Sequence, residues 1–518
     1  MDIPTNYEEA ISSSESQKWH KAMTEEINAL EENNTYELTP QPEGRSAVGG
    51  KWVFTKKIGP NNEEKFKARF VAKGYSQIEN IDYHETFSPT VRITSLRMLM
   101  QLSVQYDLLV HQMDVKTAYL NADIDCEIYV VQPEGFEKYS DDGQKLVCKL
   151  NKSLYGLKQS GRNWNILLHN YLFSINFKQS LVDPCVYVRN EGHLRVIIII
   201  WVDDILIAAS NEDLLSDVKS SLNNKFKMKD FGELHWFLGM EFKFDKSCVS
   251  INQCKYLEKV LEKFQMSNCN PKSIPCDLSF LKSNNFESSE LDDAKLYREI
   301  VGSLIYVMTG TRPDLCFAVT ELSKHMSKPT KENFNLAKYV LKYVKGTLNY
   351  DLKFVKSSDN NQLGLFGFSD SDWGSSSDRK SVSGYCFKLN NNSSLISWKS
   401  KRQPIVALSS CEAEYVALTS AVQEALFLRQ LLSDMLCCKK EPVIIFADNQ
   451  GAISLSKNPV HHQRSKHIDI KFHFIRDEVQ KGNVEIIYVP SEDNMADIFT
   501  KPASKFKFSK FSSMRGVI

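Results

Sequence analysis

Two adjacent aspartates, Asp203 and Asp204, lie between the β-type runs 195–201 and 205–208. A tight hairpin there sets two carboxylates at its tip, and like charges that close are costly unless a cation sits between them. Taken alone, such a pair is more often a solvated turn. A third carboxylate, Asp114, ends another short β-type stretch, 111–116, and changes the balance. Three carboxylates from two adjacent strands can hold two Mg²⁺ ions about 4 Å apart, the arrangement of in-line nucleotidyl transfer. Mg²⁺ takes carboxylate and phosphate oxygens, which fits this inventory, with Mn²⁺ as a substitute.

A second acidic set lies nearer the C-terminus. Asp370 ends the strand-like run 363–370, and Glu414 sits early on a helix expected over 410–432. Asp448 follows a strand at 443–447, and Asp497 opens a short helix after a strand at 484–489. Strand ends and helix starts around one sheet can converge four carboxylates on two metal ions, enough to activate water against a phosphodiester. Each acid alone is more often surface charge, Asp448 being the best placed at a strand's carboxyl end. Asp372 and Glu412 are near-neighbours and rank below them. His461, His462, His467 and His473 stand beside Arg464 and Lys466. Their spacing matches no common zinc pattern, so a helical surface facing nucleic acid or solvent is expected there.

The elements that must position these groups follow from periodicity. Trp19, Met23, Ile27 and Leu30 recur at helical spacing, predicting an amphipathic helix over 7–33. Residues 51–58 and 65–73 read as a hairpin around Gly59-Pro60-Asn61-Asn62, with seven basic residues and two acidic ones. Mixed helix and strand follow to 210, then a mainly helical stretch over 291–355. After 363 the order is strand, strand, strand, helix, strand, helix, strand, helix, an α+β pattern.

Composition narrows the classes. At 518 residues the chain needs several cores, and 42% hydrophobic with 25% charged is ordinary globular usage. Sixty-four basic and 64 acidic residues exclude a wholesale basic coat for nucleic acid. The most apolar run is broken by Asp203 and Asp204, too short and too charged to span a bilayer, so no membrane partner is expected. Twelve cysteines without a Cys-x-x-Cys pair support neither a zinc knuckle nor a disulfide framework, and fit a reducing compartment.

Longer blocks are more specific. The run Gln112-Met113-Asp114-Val115-Lys116-Thr117-Ala118-Tyr119-Leu120-Asn121 resembles the first palm motif of reverse transcriptases from copia-type LTR retrotransposons. The blocks IYVVQPEGF (128–136), CKLNKSLYGLK (148–158) and GELHWFLGMEF (232–242) are similar to that group's further motifs. The runs FSDSDWG (368–374), SSCEAEY (409–415), ADNQ (447–450) and NMAD (494–497) resemble the ribonuclease H domain of the same elements. The resemblance extends from about Trp19 to Lys501.

The resemblance implies an α+β fold: a right-hand polymerase with fingers, palm and helical thumb or connection, then a ribonuclease H-like mixed sheet. Boundaries are expected at 1–45 (helical segment), 46–265 (fingers and palm), 266–357 (thumb or connection), 358–505 (ribonuclease H) and 506–518 (basic tail). It implies that Asp114, Asp203 and Asp204 are polymerase metal ligands, and Asp370, Glu414, Asp448 and Asp497 nuclease ligands, each set for two Mg²⁺. Tyr119 matches the aromatic gate against a ribose 2′-hydroxyl; its plain alternative is a core aromatic. Lys67 and Arg69 would neutralise an incoming triphosphate, the alternative being a solvated strand face. Gln159 matches a nucleotide- and template-contacting turn, and Leu238-Gly239 falls where the primer is gripped. Trp201 stands where the family usually has Tyr, and Ser160-Gly161-Arg162 where Ala-Pro-Arg is common.

The implied partners are an RNA template, a DNA primer strand, RNA–DNA hybrid, dNTPs and a tRNA primer. The implied setting is a cytoplasmic virus-like particle, with nuclear entry alongside the cDNA. With no protease, integrase or gag-type knuckle, the chain is expected to be the C-terminal product of a longer polyprotein or a truncated copy. The competing readings are a decayed or domesticated copy that binds nucleic acid without polymerising, and a stand-alone ribonuclease on a polymerase-shaped scaffold.

Overall fold

The computed structural model describes residues 3–58, 64–192, 194–277, 289–357, 363–374, 378–457 and 466–514. The N-terminal apolar stripe is buried as its spacing predicts, but on two helices, α1 (Tyr7–Ser12) and α2 (Ser16–Glu32). The break falls at the serine run, where hydroxyls compete for backbone partners. Ser12 and Ser13 donate back to the Glu8 and Ala10 carbonyls. After β1 (Tyr36–Thr39) come β2 (Gly50–Ile58) and β3 (Glu64–Ala72), paired antiparallel. Trp19 of α2 stands edge-on to Phe54 and Phe66, with ring centres 5.2 and 4.6 Å away, and fastens α2 to this hairpin. The expected turn at 59–62 lies outside the described residues.

Next come α3 (Ile93–Gln105), β4 (Leu109–Val115), α4 (Ala118–Asn121), β5 (Tyr129–Val131), β6 (Val147–Leu150) and α5 (Ser160–Ser174). They are followed by β7 (Lys178–Gln179), β8 (Val186–Glu191), β9 (Leu194–Trp201), β10 (Asp204–Ala209), α6 (Glu212–Lys225) and β11 (Met228–Glu233). One antiparallel sheet runs in the order β11-β4-β10-β9-β8-β7, and a smaller one in the order β1-β6-β5. The Val/Ile runs of β9 and β10 are buried throughout their centres, as strands covered on both faces require.

Strands β12 (Trp236–Phe237), β13 (Met240–Phe244) and β14 (Cys248–Asn252) and helix α7 (Cys254–Lys263) lie ahead of the boundary expected at 266 but join the connection's α8 (Ala294–Gly310), α9 (Cys316–Ser323) and α10 (Lys331–Gly346). These helices pack round a core that includes Leu257 of α7, Leu304 of α8 and Leu341 of α10. Strand β15 (Leu352–Val355) adds a component that periodicity missed: it closes a sheet ordered β12-β13-β14-β15. Four residues are too few to outweigh the helical pattern around them.

The last unit holds β16 (Phe366–Ser371), β17 (Val382–Lys388), β18 (Ser397–Arg402), α11 (Ser410–Leu436), β19 (Val443–Ala447), α12 (Gln450–Lys457), α13 (Lys466–Gln480), β20 (Val484–Tyr488) and α14 (Lys505–Met514). Its sheet is ordered β18-β17-β16-β19-β20, antiparallel through β16 and parallel beyond it. This is the expected order with two differences: 450–480 holds two helices rather than one, and the short helix expected to open at Asp497 is a 3-10 turn, Met495–Phe499, followed by α14 where a basic tail was expected. The expected helical surface near the histidines is α13; His461 and His462 lie outside the described residues, and His473 is exposed. Among the described residues no helix is long and apolar enough to cross a membrane. All twelve cysteines are free.

Candidate active sites

Strands β4 and β10 are neighbours, and their register sets Asp114 directly opposite Asp204. The β9–β10 hairpin closes on the pair Trp201 and Asp204. Its turn residues are therefore Val202 and Asp203, not Asp203 and Asp204 as the sequence suggested, and Asp204 is the first residue of β10. Val202 has φ +57°. A β-branched side chain is strained there by about 1–3 kcal/mol. The neighbours hold it: the Trp164 indole donates to the Val202 carbonyl at 2.7 Å, and Val115 N–H donates to the Asp203 carbonyl at 3.0 Å. These two hydrogen bonds offset the strain and fix the turn relative to α5 and β4.

Burial, then the neighbouring Asp203, pushes the Asp114 carboxyl up, while Lys67, Lys229 and Arg69 oppose the shift. Asp204 is also pushed up, first by burial and then by its acidic neighbours, although Gln112 donates to it at 3.1 Å. Two carboxyls pushed up by burial and by neighbouring carboxylates, with Asp203 beside them, form a hard-oxygen donor set that suits a divalent cation.

Lys67 and Arg69 alternate along β3 with Ala68 and Phe70, which are buried, so the cations take the other face. The Arg69 guanidinium lies 4.8 Å from the Tyr155 ring centre, and that ring lies 5.1 Å from Tyr119. Burial and Asp203 push the Tyr119 hydroxyl up, and Arg69 opposes them. Tyr119, Lys67 and Arg69 thus share one neighbourhood with the three acids.

Two other residues take different places. Gln159 is fully buried, accepting from the Gln77 amide at 3.0 Å and donating to the Asp82 carbonyl at 2.7 Å and to Asp125 at 3.3 Å. It holds together the segments that carry Gln77, Asp82 and Asp125 rather than offering its amide at the surface. Leu238 and Gly239 form the two-residue loop between Phe237 and Met240, with φ of +49° and +72°. The Tyr306 hydroxyl donates to the Leu238 carbonyl at 2.5 Å, and a Cβ on Gly239 would stand 2.3 Å from that hydroxyl oxygen. Gly239→Ala is therefore expected to destabilise this hairpin and its packing on α8 by about 2 kcal/mol. Thermal unfolding checks this. Adding Tyr306→Phe, which removes the clashing oxygen, should recover part of the loss.

In the last unit, Asp370 is the penultimate residue of β16, Glu414 lies on the first turns of α11, and Asp448 follows β19. One oxygen from each lies within 4.8 Å of the others. Asp370 and Glu414 are buried, and Glu414 accepts from Ser371 N–H at 3.2 Å. Burial, then the mutual repulsion of these acids, pushes both carboxyls well above the usual range, while Lys501 opposes the shift. A buried cluster of this charge and oxygen chemistry fits a divalent cation. The raised proton affinity has a testable sign. Below the raised pKa values the acids hold protons that an incoming Mg²⁺ must displace, so affinity should rise with pH through neutrality. Release of roughly one proton per ion is expected near pH 7. Calorimetry of the Asp203→Asn chain in buffers of different ionisation enthalpy measures it, and an affinity flat from pH 6 to 9 contradicts it.

A family model described as reverse transcriptase (RNA-dependent DNA polymerase) matches residues 33–278. The chain is 39% identical over 520 residues to the retrovirus-related Pol polyprotein from transposon TNT 1-94 of Nicotiana tabacum, covering 98% of this chain and 38% of that protein. It is also 39% identical over 511 residues to the corresponding polyprotein from transposon RE1 of Arabidopsis thaliana, covering 98% of this chain and 34% of that one. The chain belongs to the copia-type retrotransposon Pol polyproteins. It spans little more than a third of these relatives' length. Among solved structures, the foamy viral protease-reverse transcriptase in complex with dsDNA aligns with a TM-score of 0.48 at 12% identity, over 92% of this chain and 83% of that one.

Within this Pol chain the fourth nuclease acid, Asp497, is buried next to Asp370 but outside the close trio. Lys501 and Lys507 Nζ stand 2.5 and 2.7 Å from its two oxygens. Lys507 belongs to α14, so the described part of the basic tail is folded back, and Lys510 likewise pairs with Asp493 at 2.8 Å. The lower-ranked acids do structural work. Asp372 accepts from Val382 N–H, and Glu412 accepts from Leu408 N–H at 2.7 Å ahead of α11. Sequence reasoning passed over Thr500, whose hydroxyl donates to Asp370, and Asn494, whose amide donates to the Ser369 carbonyl at 2.9 Å. The signal was available: both flank Asp497 in the NMAD block and the residues after it.

Proposed function

We propose that this chain copies RNA and DNA templates into DNA and cleaves the RNA strand of RNA–DNA hybrid. The observation that carries the reading is the register that sets Asp114 opposite Asp204, with Asp203 at the adjoining turn and Lys67, Arg69 and Tyr119 beside them. Divalent ions, when bound, would supply Lewis-acid activation of the primer 3′-hydroxyl at one site and of water at the other. Asp114, Asp203 and Asp204 would hold them in the palm, and Asp370, Glu414 and Asp448 in the nuclease, with Asp497 freed from its lysines as a further ligand. Lys67 and Arg69 neutralise the triphosphate of a dNTP. Tyr119, packed against Tyr155, crowds the position of a ribose 2′-hydroxyl. The hairpin tip at Leu238-Gly239 braces the primer.

This reading extends to a tRNA primer and to work inside a cytoplasmic particle, with the cDNA later entering the nucleus. Its test is primer extension on poly(rA)–oligo(dT) with Mg²⁺. Wild type should extend and Asp203→Asn should not; equal extension by both removes the polymerase assignment.

A further inference from the structure

Helix α3 reads ITSLRMLMQLSVQ, an apolar helix interrupted at Arg97, Gln101 and Gln105. Spacing of four residues places the three on one stripe. All three are buried. Burying such groups without partners is costly, so the partners show what the stripe is for. Arg97 Nε donates to the Ile396 carbonyl of the nuclease at 2.7 Å, and Nη1 donates to the Thr309 and Gly310 carbonyls at 2.7 and 3.0 Å. Those two carbonyls end α8 of the connection, where a cation meets the negative end of the helix dipole. The guanidinium also lies 3.8 Å from the ring centre of Trp398 on β18, whose indole donates to the Met308 carbonyl at 3.0 Å. Arg97 therefore ties palm, connection and nuclease at one point.

One turn on, Gln101 donates to the Val355 carbonyl of β15 at 3.1 Å and accepts from the Ser393 hydroxyl between β17 and β18. A further turn on, Gln105 accepts from Ser357 N–H at 2.9 Å. Around the stripe one hydrophobic core is continuous from Leu99 and Met100 to Phe387, Leu389 and Ile396. A second tie stands apart: Asp434 of α11 accepts from the Ser180 hydroxyl and Leu181 N–H of the palm at 2.7 and 2.9 Å.

We propose that Arg97 and Gln101 are positioning residues that fix the nuclease against the palm and so set where RNA is cut behind the growing DNA end, with Gln105 tying the same helix to the connection. The apolar part of the interface supplies adhesion without direction, whereas a fork of hydrogen bonds to carbonyls on two other units admits one docking geometry. The cut-site half of the proposal rests on the function proposed above; the docking half does not.

The test uses the full chain on an end-labelled RNA template with a recessed DNA primer, reading the lengths of the first RNA fragments. Wild type should give one dominant cut distance from the primer terminus. Arg97→Met and the milder Gln101→Leu should widen that distribution about twofold or more, while primer extension alone and cleavage of long hybrid alone stay near wild type. A merely structural role would lower both activities together and leave the distribution unchanged. In parallel, spin labels on unnatural amino acids at exposed Phe173 and Leu408 report the palm-to-nuclease distance. It should be narrow in wild type and broad in both variants. An unchanged distance distribution in Gln101→Leu and Arg97→Met overturns the proposal, even for a chain that shows neither activity. A chain inactive in both assays but broadened by the variants overturns the functional reading alone.

Discussion

Asp448→Asn is expected to reduce hybrid cleavage by at least about 10³-fold, equivalent to about 4 kcal/mol of transition-state stabilisation, with primer extension unchanged. Asp448 is the least buried member of the Asp370, Glu414 and Asp448 trio, so its amide is the replacement least able to disturb the fold. The amide keeps one oxygen but loses the charge that would balance a divalent ion. Glu412→Gln provides the contrast. Its carboxylate holds Leu408 N–H ahead of α11, so it should cost about 1 kcal/mol of stability at most and leave cleavage near wild type. Gel assays of labelled hybrid with both variants check the pair. A large loss in Glu412→Gln together with activity in Asp448→Asn would reassign the site.

Arg312→Met should produce the largest loss of stability, about 3–5 kcal/mol in the connection. Arg312 and Asp314 are fully buried, with three nitrogen–oxygen contacts of 2.6–3.1 Å between them. Arg312 also donates to the Thr347 carbonyl at 2.9 Å and to its hydroxyl at 2.6 Å. The Tyr343 hydroxyl donates to Asp314 at 2.7 Å. Removing the cation leaves a buried carboxylate with one neutral donor from that group, which costs far more than the pair contributes when intact. Hydrogen exchange localised to α8 and α10 measures the effect. The double replacement Arg312→Met with Asp314→Leu should recover part of it, because it removes the orphaned charge as well.

The carboxylates were legible because strand ends show in the sequence. Asp114 and Asp370 are the penultimate residues of β4 and β16, and Asp448 follows β19. What stayed hidden depended on partners far along the chain. Nothing local marks Arg97, whose acceptors lie 212, 213 and 299 residues away. Gln159 was expected at a nucleotide-contacting turn from the family resemblance, yet Gln77, Asp82 and Asp125 engage its amide. The hairpin turn was misplaced by one residue because Val202 is a poor choice for a positive φ, and only the packing of Trp164 and β4 holds it there. The stretch expected as a basic tail begins on α14, where Lys507 joins Lys501 in turning inward to Asp497. Neutrality of the whole chain hides such pairs.

The central claim is that two independent carboxylate sites act within one chain. One substrate tests it: a labelled RNA template with a DNA primer, Mg²⁺ and dNTPs, with extension and RNA cleavage followed in the same tube. Wild type should do both, Asp203→Asn only cleavage, and Asp448→Asn only extension. A chain in which neither variant differs from wild type, or in which each abolishes both activities while remaining folded, contradicts it.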